Sequence, residues 1–95
     1  MTLCLVLHEL PAGGVEVMEA SIWELSESHC MLGGGMLVDT SVSPGYLLSH
    51  IHGALTRAGM EGKLVVSQAA AELHMSGLEP DVAAWIRGSL QASGD

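Results

Sequence analysis

The chain predicts a small α+β sandwich, with helices layered on one antiparallel or mixed sheet. Three observations lead there. Apolar residues between positions 15 and 39 recur at short, nearly alternating spacing, interrupted by the polar Ser26-Glu27-Ser28. A capped amphipathic stretch follows at 43–59, and a short strand-like run at 63–67 comes after it. The 95 residues suit one domain, since domains run about 100 to 200 residues. That length excludes a barrel enzyme or a two-domain dinucleotide enzyme.

Residues 2–10 (TLCLVLHEL) are apolar on both alternating sets. Such a run fits a buried strand or a short helix, and periodicity does not choose between them. Pro11 and Gly13-Gly14 end it. Residues 15–25 (VEVMEASIWEL) are expected as a strand. Val15 and Val17 share one face, Met18, Ala20 and Ile22 the other, and Trp23 and Leu25 return to the first. The phase slips twice, which fits a bulge or cover on both faces. Ser26-Glu27-Ser28 is expected as a turn, and residues 30–39 (CMLGGGMLVD) as the partner strand of a hairpin.

Residues 43–59 carry the clearest helical pattern. Ser43 suits the N-cap and Pro44 the first helical position. Leu47, Leu48, Ile51, Ala54, Leu55 and Ala58 form one stripe. Gly59 supplies a left-handed stop. Residues 63–67 (KLVVS) are expected as a third strand. A last helix is expected over 79–92, opened by Pro80, with Val82, Trp85, Ile86 and Leu90 as its apolar stripe. Between them, 69–78 fits a helical turn or a linker ending at Gly77.

Composition narrows function. Three Lys/Arg against eleven Asp/Glu give a formal charge of −8. Phosphate backbones need clustered cations, and Arg57, Lys63 and Arg87 are scattered. Nucleic acid and anionic membrane surfaces are therefore not expected partners. No unbroken apolar run is longer than Leu3 to Leu7, far short of the roughly 18 residues a membrane span needs. Neither Lys nor Arg stands before that run, so a secretory signal is not expected. Cys4 and Cys30 form no CxxC pair and no disulfide framework. They are expected as reduced thiols in a cytoplasmic setting.

Few residues suggest chemistry. Gly33-Gly34-Gly35 lacks the GxxxxGK[ST] or GxGxxG context of a phosphate cradle. It is expected as a strand that another element approaches closely. His29 adjoins Cys30, but neighbouring strand residues point to opposite faces. His50 and His52 stand about 200° apart around a helix and do not share one ion within a subunit. No HExxH or GxSxG is present. An enzyme is not expected. Metal ligands drawn from two copies at a subunit interface are the sharper possibility.

The span Val15–Gln68 resembles the cytoplasmic C-terminal domain of the cation diffusion facilitator (zinc transporter) family. The resemblance rests on VMEASIWELSESHCMLGGGMLVD, then SPGYLLSHIHGALTRAG, then MEGKLVVSQ, with Ile22-Trp23-Glu24-Leu25 and the terminal Asp39 at its centre. It implies a ferredoxin-like α-β-β-α-β order with residues 1–11 as the first helix. It also implies a homodimer with a divalent cation such as Zn2+ at or near the interface, used to tune a transporter. Four ligand positions of the family fall on Met18, Ser21, Gly35 and Gly62, none of which binds zinc in the usual way. His29, Asp39, His50 and His52 remain as metal candidates. The chain is then either free-standing or an excised piece.

The expectation is a non-enzymatic, dimerising regulatory domain over 1–68, followed by a linker and amphipathic helix over 69–95. It binds zinc weakly, with Trp23, Val82, Trp85, Ile86 and Leu90 as interface residues. The alternative is a general protein-interaction or small-ligand α+β module that uses the C-terminal helix as its contact element.

Overall fold

The structure, a computed structural model, describes residues 2–69 and 73–93, with side chains described up to Leu90. Seven elements follow one another: β1 (Thr2–Glu9), α1 (Gly14–Trp23), β2 (Ser26–Leu32), β3 (Gly35–Thr40), α2 (Pro44–Arg57), β4 (Lys63–Gln68) and α3 (Pro80–Ser93). The strands form one antiparallel sheet in the order β2-β3-β1-β4. The α+β class is as expected, but the element order is not.

Residues 2–9 are a strand, not the first helix that the family resemblance implies. Their place in the sheet explains their composition. β1 lies between β3 and β4, with cover on both faces. Both alternating sets are therefore apolar, as in any strand buried on two sides. Cys4 and Val6 enter one core, and Leu3 with Leu5 the other.

The stretch expected as a strand at 15–25 is helix α1. The two phase slips were helical spacing. Met18, Ser21 and Ile22 are buried, and with Val15 and Leu25 they recur every three or four residues on one stripe. The helix begins at Gly13, whose φ of 83° is left-handed, without a side-chain cap. The expected turn at Ser26-Glu27-Ser28 instead opens β2, with a bulge between Ser26 and Ser28. Residues 30–39 divide into two strands at Gly33-Gly34. The glycine triplet is thus mainly a hairpin turn. Only Gly35 is approached closely, since a Cβ there would lie 3.1 Å from the Val6 carbonyl oxygen.

Helix α2 matches its sequence pattern. The Ser43 hydroxyl accepts from the Tyr46 N–H at 3.1 Å, and Pro44 occupies the first turn. At the far end, Gly59 takes φ 73°. Its N–H donates to Thr56 and that of Met60 to Leu55, at 3.0 and 2.9 Å. These paired bonds satisfy the last carbonyls of the helix. Strand β4 and helix α3 also form where the pattern places them. Leu73–Glu79 is irregular, with Gly77 at φ 79°. Residues 70–72 of the expected turn or linker lie outside the described residues.

Two cores result. Cys4, Val6, Met36 and Val38 meet Met18 and Ile22 of α1 and Leu47, Ile51 and Leu55 of α2. On the opposite face, Leu3 and Leu37 meet Ile86 and Leu90 of α3, with Trp85 and Val82 alongside. The sheet is therefore covered on both faces over part of its area, where the sequence suggested one helical layer.

Candidate functional site

The four expected metal ligands stand apart. His29 projects from β2 toward α1, its side chain only 5% exposed. Its Nε2 lies 2.9 Å from the Glu19 carboxylate, and the edge of its ring meets Trp23 at a centroid distance of 4.5 Å. The Nδ1 atom is buried without a partner. Asp39 sits opposite Ser28 in the β2–β3 ladder, whereas His29 sits opposite Val38. Alternation then directs Asp39 to the α3 face, away from His29. One carboxylate oxygen of Asp39 is buried and unpaired.

His50 on α2 holds Glu24 at 3.0 Å. His52 is exposed and borders a hollow of about 530 Å³ with Leu55, Thr56, Met60 and Glu61. Each of His29 and His50 is thus engaged by its own glutamate. No three His, Cys, Asp or Glu side chains converge among the described residues. The zinc expectation gains no support from this geometry.

The expected interface residues divide in the same way. Trp23 is 60% exposed and flanks His29. Ile86 and Leu90 are buried on the chain's own sheet. Val82 and Trp85 are half-buried there. The Trp85 indole N–H donates to the Ser28 hydroxyl at 2.8 Å, pinning α3 to β2. Beside that bond lies a cleft of about 360 Å³ lined by Ser28, His29, Cys30, Asp81, Val82 and Trp85. The stripe of α3 that sequence offered to a partner serves the second core.

Neither thiol is in a disulfide. Cys4 is fully buried, and burial pushes its thiol pKa up because the thiolate loses hydration. Cys30 is half-buried beside the Trp85 cleft. A raised pKa withholds the nucleophilic form at Cys4.

A surface that the sequence did not single out emerges from the register. Leu32 faces Gly35, Gly35 faces Leu7, and Leu7 faces Val65. These residues form one row across the α3 face, at the end that α3 leaves open. Leu32, Leu7 and Val65 are 41, 48 and 59% exposed. The row ends at β4, an outer strand with a neighbour on one side only. Its sequence trace is the apolar odd set of β1 continuing to Leu7 past the reach of α3.

No family model, curated protein or solved structure matches the chain.

Proposed function

We propose that the chain is a non-enzymatic domain that acts by associating with a second copy of itself, the reading that the apolar row Leu32–Leu7–Val65 supports best. Leu7 and Val65 are directly opposed, Leu32 continues the row across Gly35, and all three are exposed on the face that α3 covers only in part. Singly exposed apolar residues are ordinary, whereas a contiguous set next to an unpaired strand marks a contact surface. Removing such area from water stabilises by about 25 cal/mol per Å².

The reading keeps the regulatory, cytoplasmic-domain character implied by the transporter resemblance. The run β2-β3-α2-β4 agrees with the β-β-α-β part of that pattern. β1 and α1 stand ahead of it, so the described order opens β-α-β-β-α-β. Two unpaired thiols suit a reducing compartment. No helix among the described residues is long and apolar enough to cross a membrane. The reading assigns no catalysis: each of the two His–Glu pairs is self-contained, and burial disfavours the thiolate of Cys4. Zinc has no part in this reading.

Sedimentation equilibrium across a concentration series tests it. The expected result is a species of twice 9.9 kDa that accumulates as protein rises to about 100 μM, unchanged by a chelator. A single species of 9.9 kDa at every concentration overturns it.

A further inference from the structure

Strand β4 and strand β2 are the two edges of the sheet, and they are protected unequally. β2 carries a bulge at Ser26/Ser28 and the exposed charge of Glu27. Both devices discourage strand addition. β4 is regular over Lys63–Gln68, and its only charge is Lys63 at its first position.

The outward-facing hydrogen-bonding groups of β4 follow from the ladder. The Ala69 N–H donates to the Leu3 carbonyl at 2.8 Å. Leu5 lies opposite Ser67, and Leu7 opposite Val65. In an antiparallel pair, alternate residues turn their N–H and C=O toward the neighbour. Residues 65 and 67 therefore bond to β1, and Leu64, Val66 and Gln68 present theirs to the open side. The Gln68 carbonyl already accepts from the Ser67 hydroxyl at 3.1 Å, so Leu64 and Val66 are the principal unpaired groups.

We propose that β4 pairs antiparallel with β4 of a second copy, about a two-fold axis at Val65, joining the two sheets into one. The register is selected by the side chains. Residues opposed in an antiparallel pair share a face, so the axis must pass through a residue. At Val65, Leu64 meets the partner's Val66, Lys63 meets the partner's Ser67, and Val65 meets its own copy. An axis at Val66 would set Leu64 against glutamine and Val65 against serine. An axis at Leu64 would set Val65 against lysine. Only the Val65 register joins apolar to apolar on both faces.

That register also forms about four backbone hydrogen bonds between the Leu64 and Val66 positions of the two copies. It continues the exposed row from Leu7 and Val65 of one copy into the other. Charge permits it. At −8 the molecules repel, but this register opposes no two like charges, and Glu9 lies 3.8 Å from the Lys63 ammonium. The strand thus complements itself, which identifies a second copy as its occupant.

The inference rests on the self-association proposed above and adds where it occurs. At a non-hydrogen-bonded pair the Cα atoms stand about 4.5 Å apart, within disulfide reach. Val65→Cys is expected to give a disulfide-linked dimer with oxidised glutathione at micromolar protein. Met31→Cys, on the opposite edge strand, and the wild-type chain are not. Val65→Lys places two ammonium groups face to face and is expected to weaken the dimer about fivefold, whereas Met31→Lys, on the opposite edge strand and outside the exposed row, leaves it intact. Both substituted positions are exposed, and circular dichroism checks that each variant folds. A wild-type dimer that survives Val65→Lys overturns the β4 pairing and keeps self-association. A wild-type monomer overturns both, as does mass gained only when a foreign peptide strand is added.

Discussion

On one face of the sheet, Cys4, Val6, Met36 and Val38 are fully buried beneath α1 and α2, which also pack against each other. On the other, α3 is the one described helix, and with Ala69, Leu73, Met75 and Leu78 it covers Leu3 and Leu37, leaving Leu7, Leu32 and Val65 exposed. The strands are the same and carry apolar side chains to both sides. What differs is the area of helix available to meet them. Two helices of 10 and 14 residues close one face. One of 14, with the irregular segment ahead of it, closes only part of the other. The first face is a core in the ordinary sense. The second is a core only where α3 lies, and a surface prepared for contact beyond it.

Three substitutions and one labelling experiment break or sharpen that contrast, taken from the largest effect downward. Ile51→Ala empties a fully buried site in the core that α2 forms with the sheet and α1. It is expected to cost about 3 kcal/mol in chemical denaturation, within the range for buried aliphatic truncation. Unfolding should remain a single transition, because both helices of that face depend on one core. Ile86→Ala removes a side chain equally buried in the unsubstituted protein. Its cost is expected nearer about 2 kcal/mol, because a lone helix can settle into the space. Amide exchange should accelerate in α3 with little change in α2. Equal acceleration of both helices would show that the two faces unfold together.

Trp85→Phe keeps a ring on the α3 face and deletes the N–H that reaches Ser28. Loss of that bond is expected to cost about 1 kcal/mol, read as a lower urea midpoint. The smallest effect concerns the two thiols. Cys4 belongs to the closed face and Cys30 to the half-open one. A maleimide should label Cys30 in the native protein and Cys4 only on unfolding.

Because burial raises the Cys4 pKa, the folded chain holds its thiol proton at a pH where the unfolded chain has released it. The stability linked to that proton is whole below about 8.5, the ordinary thiol value, and falls as pH rises above it. Urea midpoints between neutral and alkaline pH should decline less in Cys4→Ala than in the wild-type chain.

How far the sequence disclosed this molecule depends on where its physical determinants lie. Helix α2 was legible because Ser43, Pro44 and Gly59 mark its ends locally and its apolar stripe has one period. α3 and β4 were legible for similar reasons. α1 was misread as a strand because Val15, Val17, Met18, Ala20, Ile22, Trp23 and Leu25 are dense enough to suit a period of two or of 3.6. Its N-cap glycine adds no side-chain signature. That misreading displaced the hairpin and turned residues 2–9 toward the helix of the resembled family.

The candidate surface was less accessible still. Leu7, Leu32 and Val65 are distant in sequence and become neighbours only once the strand order and register are set. Val82, Trp85, Ile86 and Leu90 form the correct stripe, but its destination, the chain's own sheet, is a tertiary property.

The order of elements along the chain bears on synthesis. By Ala69 every strand has been made, yet the α3 residues that shelter Leu3 and Leu37 run as far as Leu90. At roughly 5 to 20 residues per second, that interval lasts on the order of one to a few seconds. The helix that shelters Leu3 and Leu37 is therefore the last of the described elements to be made, and that face of the sheet is the last to close.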